Sequence, residues 1–110
     1  MVTYFEAGNN QYQINYTVNS LCAYEDRFGT DITAILTNPT VVTLRGLLWA
    51  GLLDKNSDLT LEDVGGIMDG YLSGGKMLGD ITVLCITALQ DAGFFKRAGR
   101  EKAPAKKKAK

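Results

Sequence analysis

Histidine does not occur in the 110-residue chain, which removes the commonest general base near neutral pH and the commonest transition-metal ligand. Serine–histidine and cysteine–histidine nucleophile pairs are excluded with it. The only two cysteines, Cys22 and Cys85, are too few for a zinc site of their own and define no disulfide framework. Each falls in an apolar helical pattern, so both are expected as buried free thiols in a reducing compartment. Neither has the electropositive surroundings that activate a thiolate. No apolar run approaches the roughly 20 residues that span a bilayer. Residues 1–6 carry neither the basic nor the apolar stretch of a signal peptide. The expectation is a cytoplasmic protein with no membrane attachment, no metal and no cofactor.

Hydrophobic residues make up 45% of the sequence, which suits one domain with a core of its own. The net charge of zero hides a division. Residues 1–95 hold four basic and eleven acidic side chains, whereas eight basic residues and one acid follow from Lys96. The body is therefore acidic and the end strongly basic, the mark of a folded domain with a solvated appendage. We expect one globular domain over residues 1–96 and a disordered Lys/Ala-rich tail over 97–110, where nothing apolar is large enough to fold.

The periodicities predict a mainly α (α+β) fold. Alternation over 2–7 and 11–16, joined by Gly8-Asn9-Asn10, predicts a β-hairpin within residues 2–16. Tyr12, Ile14 and Tyr16 share the face that should lie on the helices. Thr17 is a candidate N-cap for a helix over 18–28, with Val18, Leu21, Cys22 and Phe28 as its apolar stripe and Gly29 as its C-terminal stop. A short helix over 31–37 is expected, halted by Asn38-Pro39. Thr40 caps the most apolar segment, 41–53, whose large side chains cover most of the circumference. The remaining sector holds Thr43, Gly46, Ala50 and Gly51, small enough for a neighbour to approach closely. This is the expected central helix.

After a polar loop, Thr60 with Asp63 resembles a capping box opening a helix over 61–73. Leu61, Val64, Ile67, Met68, Tyr71 and Leu72 should face the core. Gly65, Gly66 and Gly70 each cost about 1 kcal/mol relative to alanine, so this helix depends on packing. Gly74-Gly75 and Gly79 should form a flexible link, and Asp80 should cap a last helix over 81–95.

Two motifs imitate ligand sites without completing them. Gly70 to Lys76 reads GxxxxGK, but Met77 replaces the magnesium-binding hydroxyl and a helix precedes it instead of a strand. Asp54-Lys55-Asn56-Ser57-Asp58 matches the opening of a calcium loop. Leu59 then stands where glycine makes the turn, and Gly65 where a bidentate glutamate belongs. Both are better read as interhelical links.

Arg45 interrupts the apolar arc of 41–53, four residues before Trp49. In the plainer reading its stem packs on Trp49 while the guanidinium reaches water. A buried guanidinium would instead need an acid, for which Glu25 is the candidate. In the functional reading the pair is an interface hot spot, since Arg and Trp are enriched there. By residue type, Arg45, Trp49, Tyr71, Phe94 and Phe95 are the candidate protein-contact residues. Lys106, Lys107, Lys108 and Lys110 would contact phosphates in a rival, nucleic-acid-binding or architectural reading. No aromatic follows Phe95 to stack on bases, and the acidic body repels the same ligand.

Taken in order, these features resemble the tail assembly chaperones of long-tailed, siphovirus-type phages and prophages and of related gene transfer agents. The resemblance rests on the strand pair, then Glu25-Asp26-Arg27-Phe28-Gly29, then Thr43-Leu44-Arg45-Gly46-Leu47-Leu48-Trp49-Ala50-Gly51-Leu52. It continues through Leu59-Thr60-Leu61-Glu62-Asp63-Val64-Gly65 to Ala92-Gly93-Phe94-Phe95, and covers most of residues 3–95.

The resemblance implies a non-enzymatic protein of the host cytoplasm, absent from the mature virion, that binds the tape measure protein and the major tail tube protein, with self-association open. It further implies the short form of a pair made by ribosomal frameshifting, for which Lys106-Lys107-Lys108 offers a codon run. A structural tail completion protein is the remaining alternative.

Overall fold

The computed structural model describes residues 3–29, 32–33, 37 and 40–94. Within them the chain forms an N-terminal antiparallel hairpin followed by four helices. Strand β1 (Thr3–Ala7) pairs with β2 (Asn10–Ile14) from Thr3 opposite Ile14 to Ala7 opposite Asn10. Gly8 and Asn9 make the turn, with Gly8 at φ 62° and no non-glycine residue at positive φ among the described residues. Glycine is needed at that first corner, as in a type II′ turn. Alternation puts Thr3, Phe5 and Ala7 of β1 inward. Tyr4 of the same strand points to solvent. Ile14 and Tyr16 are buried and Tyr12 packs at the core margin, as their shared face requires.

Helix α1 (Val18–Phe28) opens on a reciprocal pair of bonds, Ser20 N–H to Thr17 Oγ1 at 3.0 Å and Thr17 N–H to Ser20 Oγ at 2.9 Å. It closes on Gly29 at φ 68°, whose N–H donates to the Glu25 carbonyl. The boundaries agree with the sequence pattern, but the buried face does not. Ser20, Leu21 and Tyr24 are buried, while Val18 and Cys22 point outward. The approach of α2 decides which face is buried, and Tyr24, its ring tilted against Phe28 with centroids 5.0 Å apart, takes the place expected for Cys22. Of the two thiols only Cys85 is buried. The helix expected over 31–37 lies largely outside the described residues; one helical-turn bond, Thr37 N–H to the Thr33 carbonyl, belongs to it.

Helix α2 (Val41–Leu53) packs against α1, the two helices that follow it and β2, which makes it the centre of the body. Leu47, Leu48, Ala50 and Leu52 are wholly buried. Its small face works as anticipated. A Cβ at Gly46 would overlap the Phe28 ring, and one at Gly51 would lie 2.7 Å from Ile14 Cγ2 and 2.9 Å from Tyr16 Cζ. The Asn15 N–H also reaches the Gly51 carbonyl at 2.8 Å. The first turn departs from the all-round burial expected: Val41 and Val42 are 60% and 58% exposed.

Helix α3 (Leu61–Ser73) starts on the expected capping box between Thr60 and Asp63, with both bonds at 3.0 Å. Val64, Met68 and Tyr71 are buried, flanked by partly buried Leu61, Ile67 and Leu72. Helix α4 (Leu78–Asp91) begins three residues before the expected position. Met77 occupies the N-cap position, and Asp80 sits in the first turn, accepting the Met77 N–H at 2.9 Å. Methionine has no oxygen to return the bond, so the carboxylate alone satisfies that end. Gly79 consequently lies inside the helix, and only Gly74-Gly75, with Gly75 at φ 93°, form the link. The helix ends at Asp91, short of Phe95, which lies outside the described residues.

Candidate functional site

Of the five candidate contact residues, the structure brings Arg45 and Trp49 together and places Tyr71 and Phe94 elsewhere. Val42, Arg45, Trp49 and Leu53 follow one line along α2, because residues three and four apart are neighbours on a helix. Val42 is exposed and the other three are half-buried. Helix α1 borders this line on one side, where Phe28 lies over Gly46. Helix α3 borders it on the other, where Gly65 faces the Arg45 stem. A Cβ at Gly65 would sit 3.6 Å from Arg45 Cδ. The four residues thus floor a valley between α1 and α3.

Trp49 is anchored through its indole N–H, which donates to the Leu59 carbonyl at 3.1 Å. The cation over its ring is Arg27, with its guanidinium carbon 6.0 Å from the centroid. Arg27 was not singled out by sequence, because its contact joins the end of one helix to the middle of another. Arg45 Nε is buried and meets no hydrogen-bond acceptor among the described residues. The proposed Glu25 partner is exposed on α1, and the ion pair between them does not form. Glu25 follows Tyr24 around the helix and is turned to solvent once Tyr24 is buried. Among the described residues the one ion pair is Lys55 with Asp54 at 3.8 Å.

Tyr71 is a core residue. Its ring stacks on Phe5 with centroids 4.5 Å apart, fastening the hairpin to α3. Burial, and then the Asp80 carboxylate, raise its phenol above the ordinary 10.0. Phe94 is half-buried beyond the end of α4, its N–H bonded to the Leu89 carbonyl at 2.9 Å. Phe95 and the lysines at 106, 107, 108 and 110 lie outside the described residues.

The two imitation motifs are built as links. Gly70 lies within α3 and Ser73 ends it, so the GxxxxGK segment meets its neighbours with a helix C-terminus, whose dipole disfavours phosphate. An open groove of about 750 Å³ runs there between Tyr4, Glu6 and Lys76. In the 54–58 loop, Asp54 accepts from Asn15 Nδ2 at 2.9 Å, and Asn56 folds back on the Leu52 carbonyl. No three acidic or cysteine side chains converge on a metal position among the described residues.

Two further features come from the fold alone. The N-terminal ends of α2 and α4 enclose a cleft of about 270 Å³ lined by Thr40, Val41, Leu44, Leu78, Gly79 and Thr82. In the core, the Tyr16 hydroxyl donates to the Leu47 carbonyl at 2.7 Å and lies beside Cys85. Burial pushes the Cys85 thiol from 9.0 up to about 12, the nearby Tyr16 hydroxyl partly offsetting it, which makes it inert as a nucleophile at neutral pH.

No single helix among the described residues is long and apolar enough to cross a membrane. Comparison with family models, curated proteins and solved structures finds no match for this chain.

Proposed function

We propose that this chain is a non-enzymatic phage tail assembly chaperone. In this reading it binds the tape measure protein and tail tube subunits in the host cytoplasm while tails form, and leaves before the particle is finished. It is the short form of a frameshifted pair.

The observation that carries the reading is the uncovered apolar surface of α2 and its neighbours: exposed Val41 and Val42 beside the 270 Å³ cleft, with the half-buried Trp49 line on the same helix. Partner helices are commonly received in such grooves. The resemblance motifs add support because each occupies a structural junction. Glu25 to Gly29 forms the end of α1, Thr43 to Leu52 the core of α2, and Leu59 to Gly65 the capping box of α3.

Co-expression with a long, helical tape measure protein is the direct test. The long protein should become soluble and co-purify with this chain. If it stays insoluble and uncomplexed, the reading fails. Mass spectrometry of purified particles separates a chaperone from a tail completion protein, since only the latter should be found in them.

A further inference from the structure

The valley between α1 and α3 gathers basic side chains from an otherwise acidic body. Residues 1–95 contain four basic side chains, and two of them, Arg27 and Arg45, flank the only tryptophan in the chain. Neither forms an ion pair with a carboxylate among the described residues, although Asp26 adjoins Arg27 and Glu62 stands one turn before Gly65. Arg45 Nε is buried with no acceptor among the described residues, while the residue as a whole is half-buried. A carboxylate arriving from outside would meet two guanidinium groups with no acid already paired to them among the described residues. The floor beside it is apolar, from Val42 through Trp49 to Leu53. A nucleic acid would bring phosphates to the two arginines, but the acidic body repels a long polyanion.

We infer that this valley is the docking site for a carboxylate-bearing amphipathic helix of a partner protein. Its acids pair with Arg27 and Arg45, and its apolar side covers Val42, Trp49 and Leu53. The inference rests on the chaperone reading and names the partner chemistry for it.

Trp49 fluorescence of the full-length protein reports the site directly, since there is no second tryptophan. The probes are tryptophan-free synthetic amphipathic helices whose polar faces carry either glutamates or glutamines. The glutamate peptide should shift Trp49 emission and bind about thirtyfold more tightly than its twin. The Arg27→Gln/Arg45→Gln variant should lose that preference with its circular dichroism unchanged. Arg27→Gln alone, at an exposed position that does not threaten folding, should lose roughly fivefold.

Equal binding of the two peptides, or none by either, overturns the inference. So does a preference that survives in the double variant, which would place the acid-binding site on the basic tail. Tighter binding of a single-stranded RNA than of the glutamate peptide overturns it as well. If the double variant still solubilises the long helical partner, this site falls and the chaperone reading stands. If the unaltered protein cannot solubilise that partner, the chaperone reading falls whatever the peptides do.

Discussion

At the scale of single residues, the helical glycines divide into those the packing requires and those it does not. Gly46→Ala drives a methyl into the Phe28 ring, which is backed by Tyr24. Gly51→Ala meets Ile14 and Tyr16, both buried. Each should destabilise by about 1–3 kcal/mol in chemical denaturation. Gly66 has nothing within 4 Å of an added Cβ, so Gly66→Ala should stabilise by about 1 kcal/mol through helix propensity. A gain at Gly46 or a loss at Gly66 would contradict this packing. The thiols divide too: maleimide should label Cys22 alone in the native protein and both cysteines in denaturant. The crowding at Gly46 and Gly51 was legible in sequence as a small-residue face. The identity of what fills it was not, because Phe28, Ile14 and Tyr16 come from other elements.

At the scale of the element, the caps were the most legible part of the chain. Thr17, Thr40 and Thr60 all accept the N–H three residues on, a bond that depends only on local spacing. Asp80 obeys the same chemistry from the other end. Its carboxylate reaches back to Met77, and the sequence alone does not say whether an aspartate caps the helix ahead of it or the turn behind it. Of two substitutions here, only the one at Gly79 separates these positions. Asp80→Ala should cost about 1 kcal/mol by either account. Gly79→Ala should stabilise by up to about 1 kcal/mol if Gly79 is helical, as here, where an added Cβ meets nothing within 4 Å. Were Gly79 part of a flexible link, the change would bring no such gain. The misassigned stripe of α1 has a related cause. The expected stripe of Val18, Leu21, Cys22 and Phe28 and the observed one of Leu21, Tyr24 and Phe28 share two members, and only the approach of α2 decides between Cys22 and Tyr24.

At the scale of the whole molecule, the buried Tyr16–Cys85 pair makes stability pH-dependent. The folded-state thiol titrates near 12 against 9.0 when unfolded, so the folded state holds a proton that the unfolded chain releases. Stability is full below pH 9.0 and falls as pH rises toward 12, by about 1.4 kcal/mol per unit at most. Between pH 9 and 10 the thiol dominates, because Tyr16, also raised, has an ordinary value of 10.0. Cys85→Ala should flatten denaturation midpoints across that interval; an unchanged slope would show that the thiol is not the source. For the basic end, removing residues 98–110 should leave folding and partner solubilisation intact and abolish retention on a nucleic-acid column. Loss of solubilisation would move function onto the tail. The mainly α body with an N-terminal hairpin was readable from periodicity. The Arg27–Trp49–Arg45 grouping was readable only in part, through the spacing of two of its members.

The stacking of Phe5 on Tyr71 joins the start of the body to its penultimate helix. During synthesis the hairpin emerges ahead of the helices; Ile14 and Tyr16 can meet α2 early, but Phe5 of β1 stays uncovered until α3 has left the ribosome. Phe5 cannot find Tyr71 sooner, so the closing of the body waits on α3. Nascent chains arrested before α3 should be protease-sensitive, the hairpin included.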